Sequence, residues 1–191
     1  MNIKKNVITA ISIFFFSFAF SQEKPFVSHP DQLNDDRFAE WIVPDENTGV
    51  FYFRKKFELA EKPLNFVVHV SADTRYRLYV NGKQVSWGPA LGDLENWKYE
   101  TVDLAPFLNK GQNIVASQVW NRGRLNPPNI HTYRTAFILQ GNSTSEQIIN
   151  TNDSWKVARD KGYHTLNMTS EIAGGGYIAG GTDSLVAKYQ P

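Results

Sequence analysis

Residues 71–89 read SADTRYRLYVNGKQVSWGP, and the fold follows from this stretch. From Arg75 to Val80, the side chains Tyr76, Leu78 and Val80 alternate with Arg77 and Tyr79. A period of two is that of a half-buried strand. Asn81-Gly82 comes next. Both residues tolerate positive φ, so the pair favours the type I′ turn that folds a strand back on itself. Residues 83–87 then supply the return strand, and Gly88-Pro89 ends it.

On either side of this hairpin the same period recurs. In residues 51–59, Phe51, Phe53, Lys55 and Phe57 share one face and Tyr52, Arg54 and Lys56 the other. The aromatic face is assigned to the core, with Lys55 breaking its pattern. In residues 64–70, Leu64, Phe66, Val68 and Val70 alternate with Asn65, Val67 and His69; in residues 114–120, Val115, Ser117 and Val119 alternate with Ile114, Ala116, Gln118 and Trp120. Residues 97–102, 135–139 and 154–157 are shorter strand candidates. Residues 103–108 read as a single helical turn, and residues 110–113 reverse the chain. Residues 33–43 are a short amphipathic turn or helix, capped by Asn34 or Asp35, with Phe38, Trp41 and Ile42 facing inward. Several short strands separated by turn signals predict an all-β sandwich.

The chain has 191 residues, no cysteine and a formal charge of +1. Residues 1–21 read as a secretory signal. Lys4 and Lys5 form a basic start, residues 7–20 an apolar run, and Ala19-Phe20-Ser21 offers small residues for cleavage before Gln22. The rival reading is an uncleaved anchor, but the run is short of the ~20 residues of a membrane span. No cysteine follows it, which excludes a lipoprotein anchor there. The expected location is secreted or periplasmic. Cleavage removes two lysines and no acid, leaving 18 basic against 19 acidic side chains. A near-neutral surface argues against a nucleic-acid partner, and no membrane partner is expected once the signal is gone. Without disulfides, the core must supply the stability. Residues 22–32 read as a linker and 33–168 as the sandwich domain. Residues 169–191, with Gly174, Gly175, Gly176, Gly180 and Gly181, read as a tail or a linker to a missing domain.

A resemblance rests on an ordered series of segments. It runs through Trp41-Ile42 with Pro44, FYFRK at 51–55, SADTRYRLYVNG at 71–82, Gly88-Pro89, DLAP at 103–106 with Leu108, and GQN at 111–113 leading to Val119-Trp120-Asn121. Over residues 36–163 the chain resembles the N-terminal region of bacterial α-L-rhamnosidase-like glycoside hydrolases, a galactose-binding-like β-sandwich of the jelly-roll type. The family's catalytic unit, an (α/α)-barrel carrying acidic residues, has no counterpart in this chain. The resemblance therefore implies a non-catalytic accessory domain, a fragment or truncated copy, whose partners are a catalytic glycosidase domain and an oligo- or polysaccharide containing rhamnose. It also admits a structural calcium ion.

No catalytic residue is expected, and a stand-alone glycosidase is the last of the alternatives, behind a carbohydrate-binding domain and a structural docking domain. A glycosidase needs two carboxyls held across a bond; Asp73, Asp93, Glu95 and Glu100 lie in or near turns and a loop. His29, His69, His131 and His164 lack the spacing of a metal site, and His69 reads as a surface residue. The oxygen donors for calcium would be Asp35, Asp36 and Asp93. Sugar binding needs an aromatic ring for the C–H face of a pyranose and polar groups for its hydroxyls. The candidates are Trp87 and Trp97, which flank the loop at 88–96, with Arg75, Asn121, Arg122 and Arg134. Asn121 opens a long polar loop through residue 132, and such loops are often functional. Trp41, Trp120 and Trp155 are assigned to the core. The same aromatic and arginine residues would equally suit docking on a catalytic domain.

Overall fold

The structure is a computed structural model that describes residues 39–167 and 181–185. Asn81 has φ 50° and Gly82 φ 81°, so both sit in the left-handed region that the Asn-Gly pair anticipates. They join β3 (Arg75–Val80) to β4 (Lys83–Gly88). The register slips between Leu78 and Tyr79: Leu78 faces Ser86 and Tyr79 faces Gln84, leaving Val85 as the extra residue of a bulge.

Two long strands, β1 (Gly49–Leu59) and β6 (Gly111–Asn121), pair along their whole length. With β3, β4 and β8 (Lys156–Arg159) they form a five-stranded antiparallel sheet in the order β4-β3-β6-β1-β8. Facing it is a three-stranded antiparallel sheet, in which β2 (Val67–Ala72) lies between β5 (Glu100–Asp103) and β7 (Phe137–Gly141). β9 (Tyr163–Asn167) and β10 (Gly181–Leu185) make a separate ribbon. The described helix is confined to single 3₁₀ turns at Ala105–Phe107, Gly123–Leu125 and Gln147–Ile149.

The inner faces close on one core. Phe51, Phe53, Tyr76, Leu78, Val80, Val115 and Val119 from the large sheet meet Val68, Val70, Phe137 and Leu139 from the small one. Phe137 packs on Phe53 and Trp155 at ring distances of 5.2 and 5.7 Å. Each such side chain, fully buried, contributes about 1.5–3 kcal/mol. Lys55 keeps the inward register expected of it, opposite Val115; partial burial holds its ammonium pKa below the usual lysine value. Ser117 also points inward, and its hydroxyl is buried without a partner.

The all-β sandwich matches the sequence reading, with shifts in detail. Leu64 belongs to no strand and is almost fully exposed; pairing starts at Val67. Residues 39–43 form no helix but an extended segment, in which Ile42 exchanges hydrogen bonds of 2.9 and 3.0 Å with Phe137. Gly181–Leu185, inside the stretch read as a tail, pairs with β9. The readings of residues 1–21 as a signal and 22–32 as a linker lie outside the described residues, as do Phe38 and most of residues 169–191.

Alternating strand direction sends the connections to opposite ends. At one end a buried amide clamp holds the short turns. Asn113 Nδ2 donates to the carbonyls of Asn109 and Gly111 at 2.7 and 2.9 Å, and its Oδ1 accepts from Asn109 N and Asn81 Nδ2 at 2.9 and 2.8 Å. Asn81 in turn bonds the Phe107 carbonyl and Ile114 N. Removing a fully bonded buried amide strands its partners, at about 1–3 kcal/mol per orphaned group. Asn113→Ala should therefore lower unfolding free energy in urea by at least about 2 kcal/mol. Ser117→Ala, which deletes an unpartnered hydroxyl, should be neutral or stabilising.

Candidate functional site

The other end gathers the long connections, at residues 89–99 and 122–136, together with the β2–β3 turn and the segment that leads into β1. Asp73, in that turn and only 5% exposed, organises it. Its Oδ1 accepts from the backbone N–H of Tyr133 and Arg134 at 2.9 and 3.2 Å. Its Oδ2 accepts from Asn121 Nδ2 at 3.1 Å and from the Thr132 hydroxyl. Asn121 Nδ2 also reaches Thr132 Oγ1 at 2.7 Å, and its Oδ1 accepts from Gly123 N and Asn126 Nδ2 at 2.8 and 3.0 Å. Gly123 has φ 58°, and a Cβ there would sit 2.6 Å from the Thr48 methyl, so the turn needs glycine on both counts.

The loop at 89–99 is tied separately. Arg75 Nη1 donates to the Pro89 carbonyl at 2.5 Å, Ala90 N to Glu100 Oε1 at 2.9 Å, and Ser71 Oγ to the Lys98 carbonyl at 2.6 Å. Asp93 caps its own turn: its Oδ1 accepts from Glu95 N and Asn96 N at 2.9 and 2.8 Å. These bonds hold its carboxyl below the usual aspartate range.

Between the two loops lies a cleft of about 220 Å³ lined by Trp41, Val43, Asp73, Trp97, Tyr133, Arg134 and Ala136. The Trp41 and Trp97 rings are 6.0 Å apart and tilted by 58°. Trp41 is 37% exposed and Tyr133 78%. Two indoles and a phenol around a mainly apolar hollow, with a guanidinium at the rim, supply stacking surface and hydrogen-bond donors together.

The structure divides the sequence-based candidates. Trp97 and Arg134 come together in the cleft. Asn121 does not: 2% exposed, it spends both donors and both acceptor positions within the protein. Arg75 is committed to Pro89. Trp87 projects 69% exposed from the edge strand, in register with Arg77, and is not among the residues lining the cleft. Arg122 lines a different hollow, on the outer face of the large sheet. Of the residues assigned to the core, Trp155 is there, its Nε1 bonded to the Asn150 carbonyl at 3.0 Å. Trp41 and Trp120 are not. An extended segment alternates, so the bridge made by Ile42 turns Trp41 and Val43 the other way, into the cleft. Trp120 lies on the outer face under Arg77.

Sequence reasoning missed Trp41 and Tyr133. An aromatic beside an arginine in a long loop was the available signal for Tyr133. Asp35 and Asp36 lie outside the described residues. Among the described residues no group of three His, Asp or Glu side chains is gathered as metal ligands. His69 is part-buried, bonded to Thr101 Oγ1 at 2.9 Å and Asn142 Oδ1 at 3.2 Å, and burial lowers its pKa.

Burial pushes the Asp73 carboxyl above its ordinary value, against the pull of the Thr132, Tyr133 and Arg134 bonds. Stability linked to its protonated form is thus complete below the unfolded value of 3.8 and is lost as pH rises through the higher native value. Asp73→Asn has no such titration. In urea melts the native chain should be more stable relative to that variant at a pH below 3.8 than at neutral pH. Asp73→Ala should cost about 2–4 kcal/mol at either pH, since it orphans several buried donors.

No family model matches the chain. An α-L-rhamnosidase of Formosa agariphila is 29% identical over 114 residues, a match covering 48% of this chain and 12% of that protein. The crystal structure of a GH78-family rhamnosidase of Bacillus sp. GL1 superposes with a TM-score of 0.58 and 25% identity, over 65% of this chain and 14% of its own. A lectin of Pleurotus ostreatus, solved in complex with GalNAc, gives a TM-score of 0.44 with 23% identity, over 63% of this chain and 35% of its own. The match thus spans about an eighth of the length of the curated rhamnosidase. Over about half its length the chain is weakly homologous to an α-L-rhamnosidase, and its fold is the β-sandwich expected from the resemblance.

Proposed function

We propose that the chain is a non-catalytic, carbohydrate-binding accessory domain of an α-L-rhamnosidase-like enzyme, exported by its N-terminal segment, and that the loop-end cleft holds the sugar. The observation that carries this reading is the Trp41–Trp97 pair beside exposed Tyr133 and Arg134. The C–H face of a pyranose packs on such rings, and the guanidinium donates to its hydroxyls. The carboxylate closest to the cleft, Asp73, is saturated by four donors, which leaves it a scaffold and not an acid–base group. The rhamnosidase similarity supports sugar as the ligand class and a catalytic domain as the partner.

Calorimetric titration with rhamnose-containing oligosaccharides tests the reading. The native chain should bind. Trp97→Ala and Tyr133→Ala should each weaken binding about tenfold or more, because a lost aromatic contact is worth about a kcal/mol beyond its area, and 1.4 kcal/mol is a factor of ten. Silence across a broad glycan panel would favour a docking domain, for which exposed Leu91 and Leu94 on the neighbouring loop would be the contact residues.

A further inference from the structure

The outer face of the five-stranded sheet carries a second set of groups that the loop-end cleft does not use. Strand register lays them out in rows. One row reads Trp87, Arg77, Gln118, Tyr52 and Ala158 across β4, β3, β6, β1 and β8. The next holds Arg75, Trp120 and Val50. The row on the other side holds Gln84, Tyr79, Ala116, Arg54 and Lys156. Lys56 follows on β1. Arg54, Lys56, Arg75, Arg77 and Lys156 thus share one face of a chain whose total charge is only +1, where the acids are Glu58, at the far end of β1, and Asp160, just after β8 beside Tyr52.

At the centre lies a hollow of about 170 Å³ lined by Val50, Arg77, Gln118, Trp120, Arg122 and Tyr163. The Arg77 guanidinium sits 5.5 Å from the centroid of the Trp120 ring. A guanidinium over an indole face is held by attraction to the ring and keeps its N–H donors for a further partner. Arg77 is exposed, and among the described residues no carboxylate pairs with it. Gln118 is 8% exposed and its Nε2 donates to the Tyr52 hydroxyl at 3.1 Å. The Tyr52 proton in turn goes to Asp160. With burial first and Asp160 second, the Tyr52 pKa is pushed up to about 12, so the phenol stays protonated. The Gln118 bond uses one of the two N–H donors of its amide, so a second N–H and the carbonyl oxygen remain for a group in the hollow that Gln118 lines.

We propose that this face is a second binding site, for a glycan bearing anionic groups, with Arg77 pairing a carboxylate or sulfate and the Gln118 carbonyl accepting from a sugar hydroxyl. Guanidinium pairing with a carboxylate or sulfate is charge-assisted and bidentate. Trp87 and Tyr52, three strand spacings or about 14 Å apart, offer stacking surface to either side of Arg77. A phosphodiester backbone fits less well, because the chain lacks the overall basic charge that phosphate binding calls for. The inference stands apart from the loop-end cleft, because its probes are selected by charge.

The test is titration of the whole chain with pentagalacturonate, its neutral methyl ester, a sulfated galactan oligosaccharide, and a single-stranded oligonucleotide of matched charge. Either acidic sugar should bind, the methyl ester at least about tenfold more weakly, and binding should fall steeply with salt. Preference for the uronate assigns the carboxylate, and preference for the galactan assigns the sulfate ester. Arg77→Gln should lose about tenfold or more with an unchanged melting temperature, and Arg77→Lys should fall between, since lysine keeps the charge but not the fork. Equal affinity for acid and ester, no effect of Arg77→Gln, or tighter binding of the oligonucleotide would each overturn the proposal. Failure of neutral rhamnose oligosaccharides to bind would count against the cleft alone.

Discussion

One buried carboxylate holds the long-loop end of this molecule together. Asp73 sits where β2 turns into β3, and its two oxygens take donors from the end of β6 and from the loop that follows. A charged acceptor inside a protein is costly unless its lone pairs are occupied, and here they are. The bonds fix the backbone at Tyr133 and Arg134, the residues that form one wall of the cleft. The position of the aromatic wall therefore depends on an acid whose oxygens are spent on holding the loop.

The sandwich separates its work by end and by face. Amides clamp the short-turn end, where Asn81 and Asn113 satisfy each other and the main chain. The long-loop end is held by the carboxylate and carries indole and phenol rings. The inner faces are aliphatic and aromatic, while the outer face of the large sheet collects arginine and lysine. Three acids at the long-loop end are spent on the main chain: Asp93 caps its own turn, Glu100 holds Ala90 N, and Asp73 is saturated.

Much of the fold was legible in the sequence because strand alternation is a local signal. Phe51, Phe53 and Phe57, then Tyr76, Leu78 and Val80, then Val115 and Val119, all face inward as their spacing requires, and Asn81-Gly82 turns where its φ preference dictates. The β9–β10 ribbon was not legible. Gly181–Leu185 reads GTDSL, without apolar alternation, and it is joined by main-chain pairing that composition does not reveal. The site was only half legible. Trp97 and Arg134 stand out as residue types, but whether an asparagine faces ligand or backbone depends on partners far along the chain. Asn121 is bonded to Asp73, 48 positions away. Trp41 was misassigned because a helical reading of residues 33–43 turns it inward, whereas the extended segment formed by the bridge of Ile42 to Phe137 turns it out.

The bulge in the hairpin bears on how this molecule meets others. β4 is an outermost strand, and a straight one would present an unbroken row of amide and carbonyl groups to any extended peptide. The surplus Val85 breaks the spacing of that row and adds twist. At the opposite border β8 has only four residues, two of them Lys156 and Arg159, so it too makes a poor template. With both borders of the large sheet closed to main-chain zippering, contact with that sheet falls to the projecting side chains, and selectivity with it.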